Sequence, residues 1–185
     1  MVVTLIGYRG TGKTTVAPLL AGRLNFEWID ADTELERRAG RTVREIFESE
    51  SESGFRARES ALLAELLERD RLVIAAGGGA VLDSNTRERM RVAGPVVWLR
   101  ATAPTIERQI AADPVTRDRR PNLTAEGGRR EIDSLLAVRE PLYRETASST
   151  VDVDDRSVDE VVAAILSSVL PLPISSGEPR RSAGP

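Results

Sequence analysis

The sequence predicts an α/β fold, a three-layer sandwich in which helices cover both faces of a five-stranded parallel sheet. Short apolar segments rich in β-branched residues alternate with longer segments of helical periodicity, as expected when strands are buried on both faces. No internal repeat or sustained heptad competes with this pattern. The 185 residues suffice for one domain with its own core.

Val2–Ile6 opens the sheet as a short apolar run stopped by Gly7. Lys13–Leu24 carries Val16, Leu19, Leu20 and Leu24 at helical spacing. Pro18 constrains where that helix begins, because an α-helix tolerates proline only near its first turn. Residues 26–30 form the second strand. Segments 41–48 and 58–68 are expected as two helices, the latter with Leu62, Leu63, Leu66 and Leu67 on one face. Residues 72–76 form the third strand, ended by Gly77-Gly78-Gly79. A helix over 86–92 leads through Pro95 into the strand 96–99.

Thr102 suits the N-cap of a helix through Ile106 and Ile110. The stretch 113–128 is polar, contains Pro114, Pro121, Gly127 and Gly128, and is expected to be a mobile loop. A helix follows over 129–146, with a bend expected at Pro141, and then a last strand over 151–153. Ser157 and Glu160 form a capping box before a helix with Val158, Val161, Val162, Ile165, Leu166 and Val169 on its apolar face. Beyond residue 170 the composition turns to Pro, Ser, Gly and Arg, so 1–170 is expected as a single domain and 171–185 as a disordered tail.

Composition then narrows the chemistry. With 26 basic against 29 acidic residues and a formal net charge of −3, the chain lacks the surplus of a general nucleic-acid binder. No apolar run approaches the roughly 20 residues of a membrane-spanning helix, and the N-terminus does not resemble a signal peptide, so a cytoplasmic protein is expected. The absence of cysteine excludes thiolate nucleophiles and zinc–thiolate sites. The absence of histidine excludes serine triads and histidine acid–base work. Carboxylates, hydroxyls, backbone amides, Arg, Lys and a hard cation held by oxygen remain. Among 26 basic residues the only lysine is Lys13.

That lysine ends Gly7-Tyr8-Arg9-Gly10-Thr11-Gly12-Lys13-Thr14, a match to G-x-x-x-x-G-K-[ST] with a strand before it and a helix after it. Glycines let the backbone wrap phosphate oxygens, and the amides with the helix N-terminus make an anion nest. Lys13 is placed to reach the β- and γ-phosphates and the Thr14 hydroxyl to ligate Mg²⁺. A single lysine also excludes the N-K-x-D motif of regulatory GTPases. The third strand ends in Gly77, where an ATPase would carry its acidic metal-binding residue.

Asp30 and Asp32 follow the second strand instead. In extended chain both would point to one side, one toward Mg²⁺ through water and one toward a substrate hydroxyl. Capping of the next helix by Asp32-Thr33 is the competing account. Gly77-Gly78-Gly79 marks either close backbone approach or a tight turn. Arg56 and Arg58 are expected at a helix start, where the macrodipole disfavours cations. A bound anion would explain them, and so would a local Arg56–Glu59 ion pair. Arg117, Arg119 and Arg120 lie in the polar loop and Arg139 after it, as a solvated run or as part of a lid over a transferring phosphate.

In order along the chain, several groups of residues together resemble the shikimate kinase family over residues 1–170. These are Gly10-Thr11-Gly12-Lys13-Thr14, Asp30-Ala31-Asp32, Ile46-Phe47, Phe55-Arg56 with Glu59, Gly77-Gly78-Gly79-Ala80-Val81, Arg120-Pro121 and Arg139-Glu140-Pro141-Leu142-Tyr143. The resemblance implies a P-loop kinase, nucleoside-monophosphate-kinase-like, that transfers phosphate from ATP to the 3-hydroxyl of shikimate in aromatic amino-acid biosynthesis. It implies a substrate-binding helical segment over about 33–60 and a lid over about 113–128.

It further implies that Asp32 binds the acceptor hydroxyls and is the base, and that Arg56 and Arg139 clamp the substrate carboxylate beside Gly77, Gly78 and Gly79. Gly10, Thr11, Gly12, Lys13, Thr14, Thr15, Arg120 and Arg156 are assigned to ATP, and Thr14 with Asp30 to one Mg²⁺ ion. A monomer acting on ATP and shikimate, without nucleic acid or membrane, is expected. The chain departs from the family pattern at Asn122, which follows Pro121, at Asp154-Asp155-Arg156, and in the tail. Three alternatives stand beside this one: a related kinase such as a gluconate kinase, a nucleoside monophosphate kinase, and a non-catalytic nucleotide-binding switch.

Overall fold

The computed structural model describes residues 1–112 and 128–170. Five parallel strands, β1 (Val2–Ile6), β2 (Glu27–Asp30), β3 (Leu72–Ala75), β4 (Val96–Arg100) and β5 (Ser149–Asp152), pair in the order β2-β3-β1-β4-β5. The helices are α1 (Lys13–Leu24), α2 (Ala31–Ala39), α3 (Val43–Leu66), α4 (Ser84–Ala93), α5 (Ala103–Ala112), α6 (Gly128–Thr146) and α7 (Val158–Val169).

The alternation of strand residues builds two cores. Val2, Ile6, Leu72, Ile74, Val96 and Trp98 pack with α2, α3, α4 and Tyr143 of α6 on one face. Val3, Leu5, Val73, Ala75, Val97 and Leu99 pack with α1 and α7 on the other. A third cluster joins Tyr8 to Ile106 of α5 and Ile132 of α6, and so braces the loop that follows β1. Because β1 and β3 are neighbours, the loops after them leave the sheet side by side at its carboxyl edge, where open α/β sheets bind ligands.

Several expectations change. Segments 41–48 and 58–68 belong to one helix, α3, broken only at Ser51, whose φ of 64° and ψ of 176° are non-helical. Arg56 and Arg58 therefore lie beyond the first turn after that break, and the macrodipole argument does not apply to them. Pro18 sits inside α1, past its first turn, and α6 continues through Pro141 to Thr146. The Ser157–Glu160 capping box is present, and Thr42–Glu45 forms a second one at the start of α3. Segments 113–127 and 171–185, expected as lid and tail, lie outside the described residues. Among the described residues no helix is long and apolar enough to cross a membrane.

Candidate active site

The phosphate loop follows β1 directly. Gly10 and Gly12 adopt φ of 81° and 84°, left-handed values that side-chain-bearing residues rarely adopt, and Gly12 stands as N-cap of α1. Lys13 is only 9% exposed and its Nζ donates to the carbonyls of Gly7 (2.7 Å) and Tyr8 (2.8 Å). Lys13 thus satisfies the carbonyls of its own loop. The Thr14 hydroxyl donates to Asp30 Oδ2 at 2.6 Å. Two oxygen donors therefore stand together at the N-terminus of α1.

Asp30 and Asp32 do not share an extended stretch. Asp30 ends β2 and caps α2, its Oδ1 accepting from the Thr33 amide at 3.0 Å, whereas Asp32 already belongs to the first turn of the helix. The change of backbone direction sends one carboxylate to Thr14 and the other to a separate pocket. The helix cap is real, but Asp30 makes it.

That pocket is a cleft, open to solvent on one side, at the carboxyl edge of the sheet. Asp32, Arg56, Glu59, Arg139 and Arg9 supply its charged groups, Val43, Phe47 and Phe55 an apolar wall, and Gly77, Gly78 and Gly79 its floor. Three guanidinium groups and two carboxylates line a space suited to a small, hydroxylated anion. Arg56 donates to Glu59 Oε2 at 2.6 Å, reaches Glu52 Oε1 at 3.2 Å and lies over the Phe55 ring, 5.1 Å from its centroid. Of the two accounts of Arg56, the local ion pair is present, and the same side chain lines the pocket.

The three glycines are small for separate reasons. A Cβ on Gly77 would lie 2.9 Å from Asp32 Oδ1 and deep inside Glu59 Oε1, and one on Gly79 would lie 2.5 Å from Arg56 Cζ. At Gly78 it would press on the Arg9 amide nitrogen at 3.3 Å, where the two loops touch. The Gly78 carbonyl accepts from Tyr143 Oη (2.5 Å) and from Arg139 (3.4 Å), so α6 holds the glycine loop in place. Arg139 is itself buried, over the Tyr8 ring.

Glu59 is 4% exposed, and its Oε1 has no hydrogen-bond partner among the described residues. Burial pushes its carboxyl above the ordinary range, while Arg56 and Arg139 pull it back. Arg9 pairs with Glu131 Oε1 of α6 at 2.7 Å, and the Glu131 side chain is fully buried. Four pocket residues had no site role assigned from sequence: Arg9, Val43, and Phe47 and Phe55, which were noted only within the motifs. Helical spacing of apolar residues would have marked the last three as core, and Arg9 was hidden inside the glycine motif.

Residues 9–170 match the shikimate kinase family profile. The chain belongs to the shikimate kinase family. The shikimate kinase of Rhodopirellula baltica is 42% identical over 162 residues, spanning 88% of this chain and 87% of its own. That of Pseudomonas savastanoi pv. phaseolicola is 44% identical over 170 residues, spanning 91% and 96%. The solved shikimate kinase of Acinetobacter baumannii, in complex with shikimate, matches with a TM-score of 0.83 at 38% identity, covering 89% of this chain and 90% of its own. A Sinorhizobium meliloti gluconokinase, 13% identical with a TM-score of 0.52, shares the fold alone.

Of the residues that the shikimate kinase resemblance assigns, the fold brings Asp32, Arg56, Gly77, Gly78, Gly79 and Arg139 to one pocket. It sets Gly10, Thr11 and Gly12 in the loop beside that pocket and Lys13, Thr14 and Thr15 in the first turn of α1, with Asp30 on Thr14. Arg156 is exposed in the segment between β5 and α7, after the carboxyl end of its strand. Arg120 falls outside the described residues.

Proposed function

We propose that the protein phosphorylates the 3-hydroxyl of shikimate with ATP, the activity of the family to which it belongs. The observation that carries this reading is the convergence of Arg56, Arg139 and Asp32 on one pocket whose floor touches the phosphate loop. Two guanidinium forks suit a carboxylate at one end of a small ring, and a single carboxylate suits a hydroxyl at the other.

In this mechanism the loop amides and the N-terminus of α1 receive the β- and γ-phosphates, and Lys13 exchanges the carbonyls of Gly7 and Tyr8 for phosphate oxygens. Thr14 and Asp30 fit Mg²⁺, since both are hard oxygen donors, 2.6 Å apart, beside the phosphate loop. Held there, the ion would supply positive charge against the phosphates. Arg56 and Arg139 orient the acceptor through its carboxylate. Asp32 accepts the proton as the hydroxyl oxygen forms its bond to the γ-phosphorus, and the bond from that phosphorus to the ADP oxygen breaks. The proton on Asp32 then passes to water. Arg120 is assigned to the phosphates by the resemblance, and the protein acts as a monomer in the cytoplasm.

ATP consumption measured against shikimate, gluconate, AMP and CMP tests this reading. Turnover with shikimate alone is expected. Preference for gluconate or a nucleotide, or binding of ATP without any acceptor-dependent turnover, would replace it with one of the three alternatives.

A further inference from the structure

The pocket has a third arginine that the carboxylate clamp leaves unused. Arg9 belongs to the phosphate loop, lines the acceptor pocket with Asp32 and Arg139, and has a side chain only 11% exposed. Its guanidinium is held at 2.7 Å by Glu131, whose side chain is completely buried on α6, across 122 residues of sequence. Replacing a buried ion pair by apolar groups of similar volume is often neutral or stabilising, so folding alone is a weak reason to keep one.

Position supplies a better reason. The same helix carries Arg139 and Tyr143, which bind the Gly78 carbonyl, so α6 grips the glycine loop with one pair of residues and the phosphate loop with Glu131. The Arg9 amide lies 3.3 Å from where a Gly78 Cβ would stand, and this is the seam between donor and acceptor. Lys13, the other cation of the loop, is held by the Gly7 and Tyr8 carbonyls.

We propose that Arg9 stabilises the transferring phosphoryl group from the acceptor side, and that Glu131 is the positioning residue that aims it. A guanidinium can serve Glu131 with one nitrogen and an anion with another, which the point charge of lysine cannot do from one place. The inference rests on the kinase reading and deepens it.

The test is the double variant Arg9→Met/Glu131→Leu, which removes both charges and leaves neither buried alone. With ATP and shikimate, kcat should fall on the order of a hundredfold, as when one oxyanion donor is lost. The shikimate KM should stay within about threefold, because Arg56 and Arg139 are untouched, and the melting midpoint should not fall. Arg9→Lys, which keeps the charge and the pair, should lower kcat in the same direction with unchanged melting, and it decides the matter should the double variant not fold. Unchanged kcat in a folded double variant, or in Arg9→Lys, overturns the proposal. So does a raised shikimate KM at unchanged kcat, which would make Arg9 an acceptor-binding group. Wild-type protein that does not turn over shikimate overturns the kinase reading itself, and the proposal with it.

Discussion

Gly79→Ala isolates the geometry of the acceptor clamp from every other property of the protein. Gly79 has φ of −101° and ψ of −1°, values open to alanine, so the backbone is not strained by the change. The added methyl would lie 2.5 Å from Arg56 Cζ, about 1 Å inside ordinary van der Waals contact. The guanidinium has little room to yield, since Glu59 holds it at 2.6 Å and the Phe55 ring lies beneath it. A displacement of about 1 Å in a positioning group costs roughly a hundredfold. In steady-state kinetics kcat/KM for shikimate should fall by about that factor, while the ATP KM stays within about twofold. The double-mutant cycle sharpens the assay. In an Arg56→Ala background the methyl meets empty space, so Gly79→Ala should add almost nothing. An unchanged kcat/KM for shikimate in the single variant would rule this out, as would a full loss that persists without Arg56.

Other variants test separate parts of the site. Arg139→Lys should raise the shikimate KM and spare that for ATP, because a point charge cannot match a carboxylate bidentately; equal effects on both substrates would remove Arg139 from the clamp. Lys13→Ala should lower kcat on the order of a thousandfold. It should also cost about 1–3 kcal/mol of stability in chemical denaturation, since the Gly7 and Tyr8 carbonyls lose their donor. Glu59 binds its proton more tightly in the folded protein, so its contribution to stability is greatest below the ordinary carboxylate value of 4.5 and is lost as pH rises above it. Glu59→Gln should therefore melt increasingly higher relative to wild type as pH rises from about 4 to 7, and a gap that narrows instead would contradict the assigned shift. Ser51→Gly should raise stability by about 1 kcal/mol, because the φ of 64° and ψ of 176° at Ser51 belong to a region that glycine alone occupies freely. A lowered thermal midpoint would show that this break in α3 is not strained.

How much of this was legible in the sequence depends on how local each signal is. β1, the glycine loop and α1 announce themselves because apolar run, glycine spacing and lysine follow one another without a gap. The Ser157–Glu160 cap was legible for the same reason. α2 was legible only as the helix that Asp32-Thr33 would cap, without its bounds, because Ala31 and Leu35 are its only buried residues and so small an apolar face leaves no helical stripe. The continuity of α3 was hidden by the polar run Glu48-Ser49-Glu50-Ser51-Glu52-Ser53, which looks like a linker but is helical on both sides of one residue. In the site, Asp30 and Asp32 were visible as carboxylates, but only the turn from β2 into α2 separates their directions. Gly77 and Gly79 were visible as glycines, yet the side chains that fill their missing Cβ positions come from α2 and α3. The Arg9–Glu131 pair has no sequence signal at all, since 122 residues separate its halves.

In the proposed reaction Arg56 and Arg139 fix the carboxylate end of shikimate so that its 3-hydroxyl lies against Asp32 beside the phosphate loop. Identifying the phosphorylated oxygen of the product tests it most directly, by phosphorus–proton correlation in the NMR spectrum of shikimate turned over with ATP. A single product with phosphate on the 3-oxygen is expected, with loss of that regiochemical selectivity in Arg139→Lys as the ring shifts in its clamp. Phosphate on another hydroxyl, or a mixture from the wild-type protein, would contradict it.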